Sequence, residues 1–77
     1  PNPVAGSFQM DVFLKGDSEV AIRVLNATGS VVDAHTGAHY NPGQHAFTFD
    51  ASAWAPGIYT VELEVDGYRH FQRVVNN

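Results

Sequence analysis

Apolar and polar residues alternate along most of this chain with a period of two. Phe8, Met10, Val12 and Leu14 are interleaved with Ser7, Gln9 and Asp11. Val20, Ile22 and Val24 are interleaved with Glu19, Ala21 and Arg23. Phe47 and Phe49 flank Thr48, and Tyr59, Val61, Leu63 and Val65 alternate with Thr60, Glu62 and Glu64. Successive side chains of an extended strand point to opposite faces, so each segment predicts a β-strand with one apolar and one wetter face. Helix periodicity is nearly absent.

Turn signals punctuate these runs every ~8–12 residues, the spacing of an antiparallel sandwich or barrel. Lys15-Gly16-Asp17-Ser18 parts the first two strands. Asn26-Ala27-Thr28-Gly29 precedes a strand over Ser30–Ala34, with Gly29 suited to the left-handed conformation that closes such a loop. Thr36-Gly37-Ala38 reads as part of a glycine-containing connector. Asn41-Pro42-Gly43 leads to the Phe47 strand, and Ala55-Pro56-Gly57 leads to Ile58–Val65. Asp50–Pro56 has room for one helical turn, capped by Asp50 or Ser52 and ended by Pro56.

Asp66-Gly67 predicts a hairpin into Tyr68–Val75. Two registers compete there. A two-residue loop sets Glu64 against Arg69, a favourable charge pair. A three-residue loop with a bulge sets Leu63 against Phe71 and Tyr59 against Val75, which makes the better apolar face. The bulged form is the expectation, and a one-residue difference exchanges the two faces of the strand.

Composition narrows the function more than the fold. Seventy-seven residues make one small domain over 1–77. A domain of this size buries only about 60% of the surface its unfolded chain exposes, leaving little area to wall in a deep pocket. The chain has no cysteine, so neither disulfides nor thiolate-held zinc support it. Eight acidic against four basic residues give a net charge of −4, the wrong sign for a nucleic-acid surface. No apolar run approaches the ~20 residues of a membrane-spanning helix. The start at Pro1, without a methionine or leader, suggests a piece of a longer protein.

Residues that could carry chemistry do not assemble into a reaction. His35 and His39 are four apart, a metal-binding spacing only on a helix, and a glycine lies between them. With no clear third ligand, no metal or other cofactor is expected. Glu62 and Glu64 share one strand face and read as a solvated pair rather than as an acid and a base in a cleft. Serine motifs and phosphate-binding glycine loops are missing. Trp54, beside Pro56, reads as a plug at the open end of the sandwich, with a carbohydrate platform or a membrane anchor as the other possibilities. The expectation is a non-catalytic domain.

The order of the punctuation resembles a known family. Pro1-Asn2-Pro3 opens the chain before an alternating strand. Val24 to Val32 follows, with Gly29 after the second strand. Then come Ala55-Pro56-Gly57-Ile58-Tyr59-Thr60-Val61, Asp66-Gly67, and a last strand ending Arg73-Val74-Val75. This is similar to the C-terminal sorting domains of cargo proteins of the type IX secretion system of Bacteroidota-like bacteria. The resemblance implies an all-β, immunoglobulin-like antiparallel β-sandwich of six or seven strands. It implies a signal that takes a larger secreted parent through the periplasm to the cell surface. The implied partners are the outer-membrane translocon and a sortase-like protease. The sorting or structural positions would be Pro1, Asn2, Pro3, Gly29, Pro56, Gly57, Tyr59, Gly67, Arg73, Val74 and Val75. One departure is that Arg69 and Arg73 stand where the family's last strand often has lysines. An accessory binding or spacer sandwich of an extracellular enzyme, with a carbohydrate as the candidate ligand, shares much of this grammar. Self-association through an edge strand is open to any such sandwich.

Overall fold

The computed structural model describes residues 6–77, apart from the side chain of Thr36. Six strands follow in order: β1 (Ser7–Leu14), β2 (Ser18–Leu25), β3 (Val31–Tyr40), β4 (Gly43–Asp50), β5 (Gly57–Val65) and β6 (Tyr68–Asn76). β1 and β4 form a two-stranded sheet, and the order β3-β2-β5-β6 forms a four-stranded one. Every pairing is antiparallel. The result is the expected all-β sandwich. The alternation in β1 and β2 translates directly into burial, with Phe8, Val12 and Leu14 inside on one sheet and Val20, Ile22 and Val24 on the other.

β3 is longer than its sequence suggests. Val20 pairs with Ala38 and Ile22 with His35, so β3 uses one more residue than β2 over this stretch. Thr36-Gly37 is therefore a bulge inside a strand and not a connector. Bulges and glycines are tolerated on an edge strand, where the disrupted ladder has one partner only. Asp50–Pro56 holds a turn rather than a helical turn. The Asp50 carboxylate accepts the Ser52 N–H at 3.0 Å, and the Trp54 N–H donates to the Ala51 carbonyl at 3.0 Å.

The last hairpin takes the two-residue loop, not the bulged one. Val65 pairs with Tyr68, Glu64 with Arg69 and Leu63 with His70. Asp66 and Gly67 have φ of 50° and 86°, the paired positive values that a type I′ turn demands. Asp66 is also clamped to the start of β2. Its N–H donates to the Glu19 carbonyl at 2.9 Å, and its carboxylate accepts the Glu19 N–H at 2.8 Å. Turn chemistry and this clamp outweigh the better apolar face of the other register. The consequence is an exposed Phe71, at 64%.

Rings join the two sheets in an unbroken seam. His45 meets Tyr40, Tyr40 meets Phe47, and His35 of β3 sits against both Phe47 and Phe49 of β4. Phe49 then stacks on Phe8 at 5.2 Å, Phe8 meets the edge of Trp54, and Trp54 lies 5.0 Å from Tyr59. These separations fall in the favourable 4.5–7 Å range for aromatic pairs. At the other side, where β1 ends the small sheet, none of the described residues covers the Tyr68–Gln72 half of β6. A groove of about 290 Å³ opens there, lined by Met10 and Val12, Val61 and Leu63, and His70 and Gln72, among others.

Phe49 is 1% exposed at the middle of the seam, whereas Phe13 on the same sheet is 69% exposed. Phe49→Ala is expected to cost about 3–5 kcal/mol of unfolding free energy. Phe13→Ala is expected to stay within about 0.5 kcal/mol of the parent. Urea denaturation followed by circular dichroism checks both.

Candidate functional site

The residues singled out in the sequence fall into three places. Pro1, Asn2 and Pro3 lie outside the described residues. Gly29 closes the turn between β2 and β3 with φ of 88°. Its N–H donates to the Asn26 carbonyl at 3.0 Å, while the Asn26 side-chain oxygen accepts from the Thr28 N–H, the Thr28 hydroxyl and the Ser30 N–H. Gly67 makes the β5–β6 turn already described. Pro56, Gly57 and Tyr59 come together with Val74 at the far end of the same hairpin, where Gly57 pairs with Asn76, Ile58 with Val75 and Tyr59 with Val74.

This end is tied by one carbonyl. The Tyr59 hydroxyl donates to the Ala55 carbonyl, four residues upstream. The Asn76 side-chain amide donates to that same oxygen at 3.3 Å and to the Trp54 carbonyl at 3.1 Å. Asn76 is 5% exposed. The Trp54 ring, laid between Phe8 and Tyr59, closes the core beneath these bonds. So the corner before β5 and the last residues of β6 are fastened to each other. Nothing in the local pattern marks Asn76 for this; a polar residue at a strand end ordinarily reads as exposed.

Alternation divides the final strand between two environments. Val74 and Asn76 point inward and are buried, whereas Arg73 is exposed and Val75 half-buried on the solvent face of the large sheet. The same face carries a second feature that sequence reasoning took for a solvated carboxylate pair. Glu62 is buried, with a side chain only 8% exposed, and Arg23 of β2 grips it as a fork. Arg23 Nε donates to Oε2 at 3.1 Å, and Nη2 donates to Oε1 at 3.0 Å and to Oε2 at 2.9 Å. Glu64, one step along, meets Arg69 at 3.3 Å. The two carboxylates thus have separate arginine partners and do not act as a pair. The missing signal was the β2–β5 pairing, which sets Arg23 opposite Glu62 across 39 residues of chain.

The histidines go to unrelated places. His35 packs on rings, His39 lies 3.7 Å from Asp17, His45 Nε2 is 2.6 Å from the Asn41 carbonyl, and His70 lines the groove. Among the described residues no three His, Cys, Asp or Glu side chains gather as a metal set. Among the described residues no helix is long and apolar enough to cross a membrane.

One comparison decides what this arrangement serves. The sequence profile for secretion system C-terminal sorting domains matches residues 1–77, the whole chain. The chain belongs to that family. It is a sorting domain of type IX secretion, and such a domain directs its protein to the cell surface or into the medium. No curated protein and no solved structure matches the chain.

Two expectations follow from the bonds at this site. Tyr59→Phe is expected to cost about 1 kcal/mol, the worth of one hydrogen bond, read as a shift in the urea midpoint. The second concerns acid. Hydrogen bonding from Arg23 holds the Glu62 carboxyl below its usual range against the opposing effect of burial, and the bonds from Ser52 do the same for Asp50. Both folded values lie below the unfolded ones, so beneath the ordinary carboxylate range the unfolded chain binds more protons and stability rises with pH. Their contribution is complete above about pH 4.5 and is lost as pH falls through the depressed values. Glu62→Gln is expected to flatten the acid limb of stability against pH and to lower stability at pH 7. An unchanged limb would count against the Arg23–Glu62 assignment.

Proposed function

We propose that the sorting signal is read from the solvent face of β6, with Arg73 and Val75 as the presented pair. Pro56, Gly57, Tyr59 and Val74 act by holding that strand in place, and Gly29 and Gly67 by closing the turns on either side of it. The observation that carries this reading is the division of the strand: a partner docking on the folded domain meets every second residue only. The reader is the outer-membrane translocon, offering carboxylates beside an apolar surface to match an arginine next to a valine. A sortase-like protease then separates the domain from its cargo. Pro1, Asn2 and Pro3 belong to the sorting motif, which serves a larger secreted parent. The domain acts as a non-catalytic signal, and any catalysis belongs to that parent.

The test is a fluorescent cargo carrying the domain as its tail, expressed in a host with the secretion system. The parent tail is expected to bring the cargo to the surface. Arg73→Glu is expected to remove most of the surface signal while the purified domain keeps its melting temperature. Val74→Asp is expected to lose both together, because it buries an unpaired charge. Surface display undiminished by Arg73→Glu would refute the proposed face.

A further inference from the structure

The open side of the sandwich has an edge strand in each layer. Among the described residues β1 pairs with β4 alone and β6 with β5 alone. The Ala51 N–H donates to the Gly6 carbonyl, which fixes the alternation along β1. Its even-numbered residues bond to β4, and Gln9, Asp11 and Phe13 turn their backbone groups outward. In β6 the two-residue loop makes Val65 and Tyr68 a hydrogen-bonded pair, which turns the backbone of Arg69 and Phe71 outward in the same way. Such outward groups on an edge strand are a template for another strand. Both edges border the groove of about 290 Å³, whose rims carry Phe13 and Phe71, 69% and 64% exposed.

The two edges complement each other and not themselves. Asp11 is the one charged residue of β1, whereas β6 carries Arg69 and Arg73 and no acid. Pairing β6 with β6 of another copy would gather only cations on one face, and pairing β1 with β1 only acids. Pairing β1 with β6 sets acid beside base. The directions agree as well. Phe8 lies toward Trp54 and Tyr59, and Tyr59 pairs with Val74, whereas Val12 and Phe13 share the groove with His70 and Phe71. β1 and β6 therefore run antiparallel. A two-fold axis parallel to the strands and between the layers keeps these directions and exchanges the layers. It brings β1 of each copy to β6 of the other, the two-stranded layer meeting the four-stranded one.

We propose that the domain pairs with a second copy of itself along this side, through two equivalent β1–β6 seams. Each layer then joins the two strands of one copy to the four of the other in one continuous sheet, ordered β4-β1-β6-β5-β2-β3. Asp11 stands opposite Phe71 of the second copy and one diagonal step from its Arg69. Phe13 stands opposite that Arg69 and diagonal to that Phe71, so the exposed rings become neighbours. β6 of each copy covers the groove of the other, and Met10, Val12 and Leu63 come to line a closed interior. This pairing does not rest on the function proposed above.

Sedimentation equilibrium of the 77-residue chain reads the proposal directly. The parent is expected to pass from monomer to dimer as its concentration rises to about 1 mM. Asp11→Arg and Arg69→Glu, each alone, set like charges together at both seams and are expected to weaken the dimer about ten-fold. Both positions are exposed, so each variant is expected to keep the parent's circular dichroism spectrum. Mixed in equal parts, the two variants are expected to associate with each other as tightly as the parent does, because both seams again set acid beside base. A parent that stays monomeric, a dimer that neither variant weakens, or a mixture that associates no better than its components would overturn the pairing. The chain has no cysteine, so single introduced thiols report the seam. Directly opposed residues of an antiparallel pair come within disulfide reach. When D11C and F71C chains are mixed and oxidised, the mixed dimer is expected to outweigh the two like dimers together, as measured by mass. Like dimers in excess would mean β1–β1 or β6–β6 contact and would overturn the two-seam arrangement.

Discussion

Ring packing between the sheets is the constraint on which the rest of this domain depends. A chain of 77 residues has a thin core, and this one has no cysteine and so no disulfide to supplement it. Each large aromatic side chain buries about 150–250 Å², more than any aliphatic substitute at the same position. The run from His45 through Phe49 and Phe8 to Tyr59 spans the small sheet, the large sheet and the 51–56 loop. It settles where β4 lies over β3 and why Trp54 closes the end. Among the described residues the small sheet has two strands, and the Tyr68–Gln72 half of β6 lies outside the area they cover.

That shortage of cover shapes the site. Both faces of β6 remain within reach of solvent over the Tyr68–Gln72 half, and only its last residues are held by the core. Residue type follows position: Tyr68, Arg69, His70, Phe71 and Gln72 along the open half, then Val74 and Asn76 where the strand is gripped. Arg23 and Glu62 make the neighbouring face rigid through a forked pair, while the more exposed Glu64–Arg69 pair contributes little to stability. The solvent face of the large sheet therefore sets a forked ion pair beside a more exposed strand.

Much of the fold was legible because strands announce themselves by alternation. β1, β2 and β5 could be assigned face by face from their apolar positions, and the Asp66-Gly67 turn from its dipeptide. β3 was cut short because Gly37 gives the same local signal in a bulge as in a connector. The hairpin register went the other way because the clamp between Asp66 and Glu19 joins residues 47 apart, beyond any local pattern. Glu62 was misread for the same reason: its partner comes from a strand that is adjacent in space and distant in the chain. At the site, the Pro56-Gly57-x-Tyr59 corner stood out because proline and glycine are conspicuous. Asn76 did not, although it holds the same carbonyl as Tyr59.

The lack of cysteine has a consequence in time. A fold closed by rings has no maturation step that waits for an oxidant, whereas disulfide formation and reshuffling take seconds to hours. Sandwiches rich in non-local pairings fold within about milliseconds to seconds once the chain is free. The domain can thus acquire its shape at the same pace in a reducing or an oxidising compartment, without calling on any thiol-handling enzyme. Its address becomes readable as soon as the chain has collapsed, whatever chemistry its cargo still has to undergo.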